Sequence, residues 1–163
     1  MRSAPVPLEL GALYEAYADM IYRLALVRTR NRADAEDVLQ DVFFRCLRRQ
    51  PEFRDEEHQK AWLIKAAINS SNSLLTSAER RHGAGPESLE FLSTEDDMDN
   101  VVYNAVLELP EKYRTAVHLF YYEGYSVEEI GRMTDTNPST VKSHLYRARE
   151  ALRRVLTEDE PDV

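Results

Sequence analysis

The sequence predicts an all-α protein built as two small helical domains joined by a flexible acidic linker, the second domain carrying a helix-turn-helix. Three observations predict it. Apolar residues recur at i, i+3, i+4 and i+7 through most of the 163 residues, and no strand-period segment or internal repeat interrupts them. Residues 83–97 break that rhythm with glycines, a proline, serines and acids, the composition of a linker. Near the C-terminus, two helix starts stand so close that only Thr134, Asp135 and Thr136 separate the helices.

The elements follow in order. Residues 8–29 keep one amphipathic rhythm through Leu10, Leu13, Tyr14, Tyr17, Met20, Ile21, Leu24 and Val27. Asn31 opens a second helix to about Gln50, with Ala35, Val38, Leu39, Val42, Phe43, Cys46 and Leu47 on its inner face. Acids lead it (Asp34, Glu36, Asp37) and arginines end it (Arg45, Arg48, Arg49), which suits the helix dipole. Pro51 stops it. A polar connection containing Phe53 leads to a third helix over about 57–81, with Trp62, Leu63, Ala66, Ala67, Ser70 and Leu74 on one side. These three helices make a first domain over 1–82.

The second domain spans 98–156, followed by an acidic tail, 157–163. Its first helix runs to about Leu109 with Val102, Ala105, Val106 and Leu109 inward. Pro110 begins the next, where Tyr113, Ala116, Val117, Phe120 and Tyr121 face the core until Gly124 ends it. Tyr122 and Tyr125 are read as packing residues too. Ser126 and Glu129 have capping-box spacing, in which the hydroxyl accepts a backbone amide and the glutamate reaches back to the cap. Asn137 and Pro138 start the last helix, a cap residue followed by proline where its missing N–H costs nothing.

At about 100° per residue, Leu145, Ala148, Leu152 and Val155 fall within roughly 40° of Val141. Ser139, Lys142, Ser143, Tyr146, Arg149 and Arg153 occupy the opposite arc. In a helix-turn-helix the N-terminal part of the second helix reaches base edges. Lysine donates to guanine there, and Ser139, Thr140 and Ser143 hydroxyls donate or accept. Arg147, Arg149, Arg153 and Arg154 lie further along, where phosphate contacts are expected. The plain alternative is a solvated basic face.

A net charge of −8 is unusual for a DNA binder, but residues 83–100 carry −6 and the tail −4, leaving +2 for the rest. Residues 137–156 alone carry +4. Local charge decides attraction to a phosphate backbone within a Debye length. A near-neutral body still implies weak DNA binding in isolation. The single cysteine, Cys46, permits no intrachain disulfide and fits a reducing compartment. No apolar run of membrane-spanning length and no signal pattern is present, so a cytoplasmic protein without direct membrane insertion is expected. His58, His82, His118 and His144 do not cluster with Cys46 at ligand spacing, and no phosphate loop, nucleophile elbow or paired catalytic carboxylates occur. No metal, no cofactor and no enzymatic activity is expected.

The order of parts resembles the extracytoplasmic-function subfamily of sigma-70 factors of bacterial RNA polymerase. The residues that carry the resemblance are DAEDVLQDVFFRCL (34–47), AWLIKAAINSSNSLL (61–75), LPEKYRTAVHLFYYEGYSVEEIGRMT (109–134) and STVKSHLYRAREAL (139–152). The resemblance implies a subunit that binds core polymerase, opens the promoter −10 element as single strands and reads the −35 element as duplex. The first domain then corresponds to sigma region 2 and the second to region 4. It implies that Asp37, Gln40 and Asp41, with Phe43 nearby, contact the polymerase clamp. Phe53, Arg54, Asp55 and the helix face near Lys65 and Asn69 match the parts that capture an unstacked −10 base. Arg45, Arg48, Arg49, Lys60 and Lys65 supply cationic support for single-stranded phosphates. Ser139, Thr140, Lys142, Ser143, Tyr146, Arg147 and Arg149 read or hold the −35 duplex. The linker corresponds to a segment that threads a polymerase channel used by RNA, and an anti-sigma partner is implied.

Two departures stand out. The family turn usually has glycine where Asp135 stands, at a cost of very roughly 1 kcal/mol. NSSN (69–72) stands where a basic residue is frequent, which predicts weaker −10 contacts. Two other readings remain open on sequence: an autonomous helix-turn-helix regulator acting without core polymerase, and a protein that sequesters a partner.

Overall fold

The computed structural model describes residues 9–80 and 97–158. Among them the structure is helical, with no strand. The chain divides into two compact units, Met1–Gly85 and Pro86–Val163. The expected linker, except Asp97, and most of the acidic tail lie outside the described residues.

The first unit packs three helices against one another: α1 (Leu10–Thr29), α2 (Arg32–Arg49) and α3 (Glu56–Arg80). Its core joins Ile21, Leu24 and Val27 of α1, Val38, Val42 and Cys46 of α2, and Leu63, Ile64 and Ala67 of α3, all fully enclosed. Each of these leucine, isoleucine and valine side chains contributes about 1.5–3 kcal/mol when withdrawn from water. The α1–α2 corner is made locally. Arg30 adopts a left-handed conformation (φ 55°) and donates its N–H to Leu26 O at 2.8 Å, closing α1. Asn31 then caps α2, its Oδ1 accepting from Asp34 N–H at 3.0 Å. Gln50 (φ 43°) closes α2 in the same way before Pro51.

Leu24–Arg28 are all buried, because the end of α1 is covered on every side. Arg28 is therefore an enclosed cation, and α3 receives it: Ser71 Oγ and Asn72 Oδ1 both accept from its guanidinium. Ser71 in turn donates to Ile68 O at 2.9 Å. The polar NSSN stretch thus has a packing cause, with Ser70 and Ser71 buried and Asn69 exposed. Leu47, expected inward, is 52% exposed. Tyr14 is half exposed as well, although its ring meets Phe43 at 5.0 Å.

The second unit contains α4 (Asp97–Leu107), α5 (Glu111–Val117), α6 (Val127–Thr134) and α7 (Pro138–Glu158). Val106, Leu107, Leu119, Ile130, Val141, Leu145 and Ala148 form its core. The expected helix from Pro110 to Gly124 forms without a break, but its last part is not α-helical. After Val117 the chain makes a π turn over His118–Tyr122, with Glu123 N–H bonded to His118 O at 3.1 Å. A π turn takes in one residue more than an α turn. Tyr121, expected inward, is consequently turned out, and Tyr122 is also half exposed, stacked on buried His118 at 5.5 Å. Gly124 (φ 73°) then ends the segment. On α7 the apolar stripe fades: Leu152 is half-buried and Val155 exposed.

Candidate nucleic-acid interface

The start of α6 and its turn into α7 are built from local devices. Ser126 and Glu129 form the capping box: Ser126 Oγ accepts from Glu129 N–H at 3.2 Å, and Glu129 Oε1 accepts from Ser126 N–H at 3.1 Å. Asp135 closes α6 in the left-handed conformation (φ 53°, ψ 44°). Thr136 N–H bonds back to Gly131 O at 2.9 Å, a six-residue closure typical of helix C-termini. Asn137 Oδ1 accepts from both the N–H and the hydroxyl of Ser139, at 3.0 and 2.9 Å, and fixes the first turn of α7. Gly131 permits the close approach, since a Cβ there would lie 2.6 Å from Thr136 O.

This turn presents one face of α7. Ser139, Thr140, Lys142, Ser143, Tyr146, Arg147 and Arg149 are all exposed, while Val141, Leu145 and Ala148 are buried. Tyr146 is 61% exposed. Arg149 Nη1 donates to the Tyr121 hydroxyl at 3.1 Å, and Arg153 pairs with Glu150 at 3.8 Å. His144 points back to Tyr113, ring to ring at 5.4 Å. Burial, and then the charges of Lys112 and Arg147, hold its imidazole below the usual range, with Glu111 opposing. An α-helix whose N-terminal half offers hydroxyls and a lysine, with arginines behind, suits base edges followed by phosphates.

In the first unit, α3 presents Lys65 and Asn69 one turn apart on an exposed face. Arg54 and Asp55 are exposed beside the start of α3, where Asp55 Oδ1 accepts from His58 N–H at 2.7 Å and so also acts as a cap. Phe53 is placed differently from expectation. It is 6% exposed, edge-on to His58 and Trp62 at 5.7 and 5.9 Å. Its ring anchors the connection and is not presented to a base.

On α2, Asp37 and Gln40 are exposed, and Asp41 pairs with Arg45 at 3.1 Å. Phe43 is 7% exposed and packs on Tyr14, so it offers little to a partner. Its neighbour Phe44 is 61% exposed, with the Arg48 guanidinium 5.9 Å from its ring centre. Counting apolar residues does not single out Phe44 as exposed. The angular position was the available signal: at 100° per residue it points roughly 165° from the mean direction of Ala35, Val38, Val42 and Cys46.

The comparisons with known proteins cover both units. Residues 13–81 match the family model described as Sigma-70 region 2, and residues 99–152 match Sigma-70, region 4. The RNA polymerase sigma factor SigV of Bacillus subtilis (strain 168) is 33% identical over 142 residues, covering 85% of this chain and 86% of that protein. The ECF RNA polymerase sigma-E factor of Haemophilus influenzae is 32% identical over 148 residues, covering 78% and 77%.

The chain belongs to the extracytoplasmic-function group of the sigma-70 family.

As a sigma factor it directs promoter-specific transcription initiation with core RNA polymerase as its partner and promoter DNA as its target. The region 2 match over the first unit favours this over an autonomous regulator that uses the second unit alone. The fold agrees with a solved relative, the sigma factor RpoE from Bartonella quintana in complex with the anti-sigma factor NepR. It superposes with a TM-score of 0.72 at 20% identity, covering 93% of this chain and 99% of that one. The family is not enzymatic. Among the described residues no group of three or more His, Cys, Asp or Glu is gathered for a metal, and no helix is long and apolar enough to cross a membrane.

Proposed function

We propose that this sigma factor grips the promoter at two points, each unit acting as a separate reader. The domain over 98–156 reads the −35 duplex through Ser139, Thr140, Lys142, Ser143 and Tyr146, while Arg147 and Arg149 hold phosphates. The domain over 1–82 opens the −10 element through Arg54, Asp55, Lys65 and Asn69. Phe53 serves there as the buried anchor of the connection. The clamp of core polymerase is met by Asp37, Gln40 and Asp41 together with Phe44, in place of Phe43. The single observation that carries this reading is the exposed polar and basic face of α7, set on a helix-turn-helix whose caps and close turn fix its N-terminal end.

The acidic segment 83–97 joins the readers and follows the polymerase channel used by RNA, where its charge imitates nucleic acid. An anti-sigma factor holds the free protein inactive in the cytoplasm. The Bartonella relative bound to NepR supports that extension. The protein itself makes and breaks no bonds; strand opening is driven by binding energy.

The test separates the two points. Holoenzyme assembled with Lys142→Ala plus Arg147→Ala is expected to bind −35 promoter fragments more weakly, roughly tenfold or more, with opening per bound complex retained. Lys65→Ala plus Asn69→Ala is expected to leave initial binding near wild type and to lower permanganate reactivity of −10 thymines. Equal effects of both pairs on both steps would contradict the division of labour. A holoenzyme that fails to form with Asp37→Ala or Phe44→Ala, yet forms with Phe43→Leu, supports the clamp assignment.

A further inference from the structure

The π turn changes which residues of this segment reach the surface. His118 and Leu119 are 2% and 0% exposed and lock the turn inside the second unit. Its closure is double: Glu123 N–H reaches His118 O, and Tyr125 N–H reaches Leu119 O at 3.0 Å. The added residue moves Tyr121 from the inward position, four residues after buried Val117, to one that is 53% exposed. Phe120 packs edge-on against it at 5.0 Å and sets the plane of the phenol. The hydroxyl then meets Arg149 Nη1, 28 residues later in the chain, on the outer face of α7. Such turns are rare and recur at functional sites.

The chemistry of the acceptor matters. An exposed arginine samples many rotamers, and fixing one costs entropy at the moment of binding. A phenol oxygen takes one of the five guanidinium donors and cancels none of the charge. A carboxylate would hold the side chain too, but would compete with a phosphate. That is the situation of Arg153, paired with Glu150 on the same helix.

We infer that Tyr121 is a positioning residue for −35 recognition, presetting the Arg149 guanidinium for a phosphate that flanks the bases read by the start of α7. The inference rests on the assignment of α7 to the −35 duplex. It adds a residue outside the helix-turn-helix to the machinery that determines promoter affinity.

The experiment is a double-mutant cycle in holoenzyme built from the full chain. Wild type, Tyr121→Phe, Arg149→Ala, the double variant and Lys142→Ala are titrated with fluorescent promoter fragments at several salt concentrations. Arg149→Ala is expected to weaken binding by about tenfold and to reduce the magnitude of the salt slope by about one. Tyr121→Phe is expected to weaken it by about three- to fivefold, with the salt slope unchanged, because the phosphate contact persists. The double variant is expected to bind no more weakly than Arg149→Ala alone. Additive losses, or tighter binding by Tyr121→Phe, overturn the positioning role. If Arg149→Ala weakens binding and Tyr121→Phe does not, the inference alone falls. If Arg149→Ala binds as wild type at every salt concentration while Lys142→Ala weakens binding, the inference falls and the −35 assignment of α7 stands. If neither variant weakens binding, that assignment falls with it.

Discussion

Gly131→Ala should destabilise the second unit, although alanine is the better helix former. A Cβ at residue 131 would sit 2.6 Å from Thr136 O, where ordinary contact begins at 3.4 Å. The obstacle is backbone, and it is tied down, because Thr136 N–H is bonded to Gly131 O at 2.9 Å. Pro138 Cγ and Cδ lie 3.5 and 3.6 Å away and close the sideways escape. Helix propensity favours alanine by about 1 kcal/mol. Forcing a methyl group into a closed contact costs about 1–3 kcal/mol, and here relief requires moving the turn that sets the cap of α7. The clash should win by about 1–2 kcal/mol, taking the upper part of that range because backbone has to move. Native-state hydrogen exchange measures it locally: amides of α6 and α7 should exchange about five- to thirtyfold faster, with amides of α1–α3 unchanged. Slower exchange in α6 and α7 would refute the argument, since it would mean that propensity prevails and the turn has room.

The remaining predictions use the same observables. Asp135→Gly should stabilise the second unit by about 0.5–1 kcal/mol, because residue 135 sits at φ 53°; an unchanged or lower unfolding midpoint would contradict this. His144 has its pKa lowered from 6.5 by burial first and by Lys112 and Arg147 next, so the unfolded chain takes up its proton more readily than the folded one. Its contribution is fully present above 6.5 and is lost as pH falls from there through the lower folded value; His144→Gln should flatten this part of the pH dependence of second-unit stability, and an unaltered slope would contradict it. Cys46 is fully buried and its thiol is pushed up to about 11 by desolvation, so disulfide reagents at pH 8 should modify it only as fast as the first unit opens, and rapid labelling of the native chain would contradict that placement.

The sequence was most legible where a local rule has one solution. Ser126 with Glu129, Asn31, Asn137 with Pro138, and Gly124 all act where capping chemistry put them. Helix faces were legible where apolar spacing was strict, as in Val141, Leu145 and Ala148. Failures came where several large apolar residues crowd one turn. Phe43 and Phe44 are adjacent, and a helix cannot bury both on one side; Leu47, about 135° from the buried stripe of α2, is exposed too. The π turn was invisible, because its signature is a single extra residue in HLFYY and not a residue type. Arg28 with Ser71 and Asn72 shows a third limit: partners 43 and 44 residues away turn polar residues into core, which no window along the chain reveals.

The two-point grip is tested most directly by mapping transcription starts on a library of genomic fragments with core polymerase, in the presence and absence of this protein. New starts should arise only when both are present, each preceded by two shared sequence elements at one near-constant separation. Substituting Lys142 with alanine should relax the requirement for the upstream element alone. Starts that share a single element, or none, or that arise without the protein, would contradict the account.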